Sequence, residues 1–128
     1  MHARSPEEIC LLFRECMAQG DVDALLRLYD PQVAFVNEGG DVKCGLDALR
    51  EELAPIAASK PWFDFEVKQI ARSGDIALMH TWWNVSSDGH EPLSVHAIEV
   101  AGRQPDGSWR WRIGDPFTVR RLAKGKNG

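Results

Sequence analysis

Residues 62–85 read WFDFEVKQIARSGDIALMHTWWNV, and this stretch decides the fold. Its first half has a period of two, in which Phe63, Phe65 and Val67 alternate with charged residues. Such alternation is typical of a strand with one buried face. The triplet Ser73-Gly74-Asp75 then predicts a turn, so the chain should fold back on itself at this point.

Three more strands are predicted after this turn. They span Ile76 to Val85, Leu93 to Arg103 and Ser108 to Val119. Two clusters of turn residues, at 86–89 and 104–107, separate them. Four long strands joined by short turns form an antiparallel meander.

The residues before the meander have a helical period instead. Ser5-Pro6-Glu7-Glu8 combines a capping hydroxyl with a proline at the first helical position, which predicts a helix start. An apolar stripe continues to Gly20, and Asp21 can cap a shorter helix over Val22 to Tyr29. A short strand pair and a third helix, which begins after Gly45 and which Pro55 should kink or end, complete this half.

Helices followed by a meander predict an α+β fold, with the helices packed on one face of the sheet. A chain of 128 residues is long enough for one domain with its own core. We therefore predict a single domain over residues 1–128, with its core at about 5–118 and a frayed, basic C-terminal tail at 119–128.

Charge and composition disfavour several classes of partner. The net charge of −4 offers no general attraction to phosphate backbones or anionic lipids, so neither nucleic acid nor a membrane is an expected partner. No apolar stretch is long enough to span a bilayer, and the N-terminus lacks a signal-peptide core, which favours a cytoplasmic location. No CxxC pair or defensible histidine spacing occurs, and we predict no metal site.

Four short motifs occur in the order found in one superfamily. They are GDVDALLRLY at 20–29, GLDAL at 45–49, GDIAL at 74–78 and RQPDGSWR at 103–110. Together they resemble the SnoaL-like and ketosteroid-isomerase-like branches of the nuclear transport factor 2-like superfamily. The resemblance implies a cystatin-like, cone-shaped and strongly curved antiparallel sheet, wrapped by three N-terminal helices around an apolar pocket. It also favours a homodimer formed through the outer face of the sheet.

The resemblance to ketosteroid isomerase can be tested position by position. That enzyme uses a carboxylate base together with a tyrosine and a protonated aspartic acid that stabilise the substrate oxygen. An overlay from Gly20 places Asn37 at the position of the base, Phe13 at that of the tyrosine and Glu99 at that of the acid. Because an amide is not a base and a phenyl ring donates no hydrogen bond, classical steroid isomerisation is not expected. The resemblance implies no cofactor.

Period two places His80 on one strand face with Leu78 and Trp82, and Glu99 on one face of the next strand with Val95 and Ala97. The resemblance implies that both of these faces line the pocket. His80, Glu99, Asn37 and Asp115 are the candidate acid, base and hydrogen-bonding groups, with Asp115 depending on a one-residue ambiguity in the last turn. Alternatively, His80 is a core histidine satisfied by one hydrogen bond, and Glu99 is a buried carboxylate paired with His80 or with an arginine. The candidate ligand-binding residues are Phe13, Met17, Glu38, Leu53, Leu78, Trp82, Val95, Ala97, Trp111 and Ile113. The opposite face should hold Thr81, Trp83, Val85, His96 and Ile98, as the dimer interface.

Three functions remain open at this stage. The first is a pocket that binds a small, mainly apolar molecule, because most of the predicted lining is apolar. The second is a cofactor-independent isomerase, dehydratase or cyclase with Glu99 and His80 as acid and base. The third is a homodimerisation or scaffold module. A fold of this kind does not by itself decide between them.

Overall fold

The computed structural model describes residues 2–127, including the side chains of residues 2–123. Ten elements follow one another along the chain: α1 Pro6–Gln19, α2 Val22–Leu26, β1 Tyr29–Val36, β2 Val42–Cys44, α3 Leu46–Ala58, β3 Trp62–Ser73, β4 Ile76–Ser86, β5 Leu93–Arg103, β6 Trp109–Asp115 and α4 Thr118–Asn127. The predicted α+β fold is confirmed. Within residues 2–127, no helix is long and apolar enough to cross a membrane.

The predicted starts of α1 and α2 and the predicted end of α1 are confirmed, whereas α2 ends at Leu26 rather than at Tyr29. Ser5 caps α1 by accepting a hydrogen bond from the amide of Glu8 at 3.2 Å, and Asp21 caps α2 through the amide of Ala24 at 3.0 Å. Gly20 ends α1 with a φ of 69°, a conformation that residues with a side chain rarely adopt. Pro55, however, lies inside α3, which continues to Ala58. Because proline has no amide hydrogen, α3 lacks the hydrogen bond from position 55 to the carbonyl of Glu51 in its last turn.

The six strands form one curved, open sheet in the order β2-β1-β6-β5-β4-β3. Every neighbouring pair is antiparallel except β1 and β6, which run parallel. The meander was predicted correctly, whereas the parallel pair was not, because it joins strands separated by α3 and the other long strands. Irregularities interrupt the pairing of β3 with β4 and of β5 with β6, and such bulges bend a sheet.

One face of the sheet, here called the concave face, packs against the helices and forms the core. Its buried residues on β4 and β5 are Ala77, Met79, Thr81, Trp83, Val95, Ala97, Glu99 and Ala101. Phe13 of α1 contacts Trp83 and Phe63, with ring centroids 5.3 and 5.1 Å apart. The convex face carries Leu78, His80, Trp82 and His96, which are all exposed.

The C-terminal segment differs from the sequence prediction. The last strand ends at Asp115 rather than at Val119, and residues 118–127 form the helix α4 instead of a frayed tail. Asp115 explains the change, since its Oδ1 accepts hydrogen bonds from the amides of Phe117 at 3.1 Å and Thr118 at 3.0 Å. A carboxylate that accepts from free amides at this point favours the start of a helix.

Candidate functional site

A cavity of about 330 Å³ lies between the concave face and the helices. It is lined by side chains of α1, α3 and the strands β1, β3, β4, β5 and β6, together with the segments that follow β1 and β6. Most of these side chains are aromatic or aliphatic. The lining residues are Phe13, Met17, Tyr29, Phe35, Glu38, Leu49, Glu52, Leu53, Ile56, Phe63, Trp83, Val85, Leu93, Val95, Ala97, Glu99, Trp111, Gly114, Asp115, Pro116 and Phe117.

Aromatic rings form the inner wall of this cavity. Phe13 projects from α1 to within 5.6 Å of Trp111, and Tyr29 lies 5.4 Å from the same indole, measured between ring centroids. The indole Nε1 of Trp111 is buried and has no acceptor among the described residues. A buried donor without a partner costs about 1–3 kcal/mol. An oxygen atom of a bound molecule could satisfy it.

Glu99 is the one carboxylate buried deep in the wall, with 6% of its surface exposed. The hydroxyl of Thr81 donates to its Oε1, and Nε1 of Trp83 donates to the same hydroxyl at 2.9 Å. We call these three residues the Trp83–Thr81–Glu99 relay. Burial raises the pKa of Glu99 to about 7, although the hydrogen bond from Thr81 acts in the opposite direction. Near neutral pH this group is therefore present in both protonation states.

Two other titratable residues of the wall respond to the same surroundings. Burial, and then the charge of Glu99, raise the pKa of Tyr29, so its phenol stays protonated. At Asp115 burial acts to raise the pKa, but hydrogen bonds from Thr118 and Phe117 and the charge of Arg121 outweigh it. The pKa of Asp115 is therefore lowered, and this side chain remains a carboxylate.

The structure brings nine of the predicted site residues to the cavity wall. They are Phe13, Met17, Glu38, Leu53, Val95, Ala97, Glu99, Trp111 and Asp115. Tyr29 was missed because its sequence pattern placed it at the end of α2, whereas α2 ends at Leu26 and Tyr29 begins β1. Phe117 was missed because it was expected in a strand.

The predicted pocket face of β4 is wrong. His80, Leu78 and Trp82 are exposed on the convex face, and Trp82 stacks on His96 with centroids 4.7 Å apart. In the pairing of β4 with β5, Thr81 lies opposite Ala97 and Met79 opposite Glu99. Because residues directly opposite each other share a face, the odd-numbered residues of β4 point inward.

The remaining corrections have local causes. Ile113 is 45% exposed, because the irregular pairing of β6 with β5 between Trp111 and Ile113 turns it to the convex side. Asn37 lies outside the cavity wall, and its Oδ1 instead accepts a hydrogen bond from the amide of Asp41 at 2.9 Å in the turn between β1 and β2. Of the residues expected at a dimer interface, Thr81 and Trp83 are buried on the concave face, and Val85 lines the cavity.

A family model described as a SnoaL-like domain matches residues 12–121 of the chain. The chain belongs to the SnoaL-like domain family. A search of curated proteins finds no match for this SnoaL-like domain.

Three solved structures show the same fold. A "putative dehydratase" of the NTF2-like family from Streptomyces avermitilis has a TM-score of 0.68 and 23% identity, covering 85% of this chain and 89% of its own. An NTF2-like protein of unknown function from Shewanella oneidensis MR-1 has a TM-score of 0.73 and 17% identity, covering 85% and 93%. A ketosteroid isomerase-like protein from Erwinia carotovora atroseptica has a TM-score of 0.66 and 15% identity, covering 85% and 89%.

Proposed function

We propose that this SnoaL-like domain binds a small, mainly apolar molecule in the cavity between the concave face and the helices. The observation that carries the proposal is the cavity itself, which is about 330 Å³ in volume and walled by aromatic and aliphatic side chains. Ligand pockets in proteins begin at about this size and combine apolar walls with a few polar groups. Here Glu99 and the unpartnered Nε1 of Trp111 are the deep polar groups.

Ala97→Leu tests this proposal by placing a larger side chain into the cavity from β5. We expect the variant to lose binding of an environment-sensitive apolar dye that fluoresces with the wild-type protein. Ser94→Leu is the matched control, since Ser94 is exposed on the same strand and does not line the cavity. Thermal unfolding of both variants establishes that they are folded. Equal dye binding by the wild type and both variants would contradict the proposal.

A second candidate function is acid–base catalysis of an isomerisation or dehydration, with Glu99 as the single titrating group. The raised pKa of Glu99 favours it, because a group with a pKa near the working pH can both accept and donate a proton. The fold shared with the Streptomyces avermitilis and Erwinia carotovora proteins is compatible with it. The proposed couple of Glu99 with His80 is ruled out, since His80 lies on the convex face.

Deuterium exchange at the carbon next to the carbonyl of an apolar ketone tests this candidate in D₂O. We expect the wild type and His80→Gln to catalyse the exchange and Glu99→Gln to be reduced to the background rate. Proton magnetic resonance of the ketone reads the rate directly. If all three proteins exchange at the background rate, this catalytic candidate fails.

Homodimerisation is a separate proposal, and the structure changes the residues that would take part in it. The convex face presents exposed apolar side chains, including Trp82 at 46%, Ile113 at 45% and Leu78 at 39%. Clustered apolar surface of this kind favours protein contacts. Comparing the sedimentation of the wild type with that of Trp82→Asp tests the proposed homodimer. A wild type that remains monomeric at all concentrations would end the proposal.

A further inference from the structure

The charged side chains that line the cavity are all carboxylates. They are Glu38, Glu52, Glu99 and Asp115, and the described lining contains no lysine, arginine or histidine. Seven aromatic residues share the same wall: Phe13, Tyr29, Phe35, Phe63, Trp83, Trp111 and Phe117. The formal charge on the described lining is therefore only negative. Arg121, which lies outside the lining, acts on Asp115 and has its guanidinium beside Gly40, in the turn that follows Glu38.

These carboxylates lie at two depths. Glu99 is almost fully buried, whereas Glu52 is half-buried and Glu38 is exposed. Ile56 and Leu93, which also line the cavity, are 39% and 36% exposed. We call these four partly or fully exposed lining residues, Glu38, Glu52, Ile56 and Leu93, the mouth of the cavity.

Glu38 and Glu52 are available to a ligand in a way that Asp115 is not. The carboxylate of Asp115 already accepts hydrogen bonds from the start of α4 and lies in the field of Arg121. By contrast, neither Glu38 nor Glu52 forms an ion pair with a described side chain. Two carboxylates at the rim of an apolar cavity complement a ligand that is apolar at one end and cationic at the other.

We propose that the ligand is an amphiphilic amine, whose apolar body fills the cavity and whose ammonium group faces Glu38 and Glu52 at the mouth. This inference rests on the function proposed above. An ammonium group at the mouth keeps part of its hydration, whereas the same charge deep in the cavity would lose it at a large cost. A carboxylate or phosphate at the mouth would be repelled by the two glutamates, so the site selects against anionic amphiphiles.

Two matched probes separate charge from shape. The first is 4-phenylbutyltrimethylammonium, and the second is the neutral analogue with a tert-butyl group in place of the trimethylammonium group. Titration calorimetry at low salt should show the ammonium probe binding about tenfold more tightly. The preference should fall as salt is added, because the mouth is partly exposed and its charges are screened.

Glu38→Gln/Glu52→Gln should abolish this preference, because the ammonium probe then binds no more tightly than the neutral probe. Glu15→Gln/Glu51→Gln is the matched control, since both glutamates are exposed on helices and neither lines the cavity. It removes the same charge from the protein and should keep the tenfold preference. A loss of preference in both double variants would mean that net charge, rather than the mouth, selects the cation, and would overturn the inference.

The remaining outcomes distinguish this inference from the proposed function. Should the neutral probe bind as tightly as the ammonium probe to the wild type, the cavity is a ligand site and only the amine proposal fails. Should neither probe bind and Ala97→Leu leave dye binding unchanged, the proposed function itself fails. Tighter ammonium binding that resists the Glu38→Gln/Glu52→Gln substitution would place the cation elsewhere and would also overturn the inference.

Discussion

The two faces of β4 and β5 are built from similar residues and have opposite properties. Trp83 is 5% exposed on the concave face and belongs to the Trp83–Thr81–Glu99 relay, whereas its neighbour Trp82 is 46% exposed on the convex face. Trp82 stacks on His96 and lies under Lys68, whose Nζ is 4.2 Å from the ring centroid. Residue type therefore does not decide the role of a side chain here. The pairing of the strands does.

Truncating the two tryptophans should give the largest difference between the faces. Trp83→Ala removes an indole packed against Phe13 and Phe63, and we expect it to lower the free energy of unfolding by about 3–5 kcal/mol. Trp82→Ala removes exposed contacts and should cost about 1 kcal/mol or less. Urea denaturation of both variants measures the two values. Equal losses would show that the faces do not differ in packing.

The pH dependence of stability tests the buried environment of Glu99 on the concave face. Its pKa is about 7 in the folded protein and about 4.5 in the unfolded chain, so the folded state keeps a proton that the unfolded state loses. The stabilisation is complete below about pH 4.5 and is lost as the pH rises through about 7. A shift of this size corresponds to about 3 kcal/mol.

Glu99→Gln should remove this slope, because glutamine does not titrate. Glu51→Gln, which changes an exposed glutamate on α3, should keep the slope of the wild type. Urea denaturation at several pH values between 4.5 and 8 makes the measurement. A slope that persists in Glu99→Gln would assign it to another group and would remove the support for Glu99 as an acid–base residue.

Most of the fold could be predicted because its signals are local. Three such signals act on amides or backbone angles within a few residues: the hydroxyl of Ser5, the carboxylate of Asp21 and the glycine at position 20. The helix ends that they predict are confirmed. The parallel pairing of β1 with β6 depends on residues far apart in the sequence. The helix α4 depends on the carboxylate of Asp115, which also fits a strand when only alternation is considered.

The site was predicted less completely, because period two fixes which residues of a strand share a face but not which face is inside. Val95, Ala97 and Glu99 were placed correctly on β5, whereas the overlay assigned the wrong alternate set on β4. A one-residue error moved His80 into the pocket and Trp83 out of it. The adjacent residues Trp82 and Trp83 did not decide which face of β4 is inside, since either indole would fit an apolar wall.

Substitutions in the relay are expected to have the smallest effect on stability, and they give the most specific test of the difference between the two faces. Thr81→Val keeps the shape of the side chain but leaves Nε1 of Trp83 without its acceptor and Oε1 of Glu99 without its donor. We expect a loss of about 1–2 kcal/mol in the free energy of unfolding, as is usual for a buried polar group that loses its partner. On the convex face of the same strands, Ser94 donates to Asn84 at 2.8 Å. Ser94→Ala should cost less than about 0.5 kcal/mol, because water replaces an exposed partner.

A second readout distinguishes the relay from ordinary packing. Because the hydrogen bond from Thr81 lowers the pKa of Glu99, Thr81→Val should move the pH midpoint of the stability curve upward, whereas Thr81→Ser should keep it near that of the wild type. Packing alone would change the stability of Thr81→Val without moving the midpoint. An unmoved midpoint would therefore show that Thr81 fills space beside Glu99 but does not set its proton affinity.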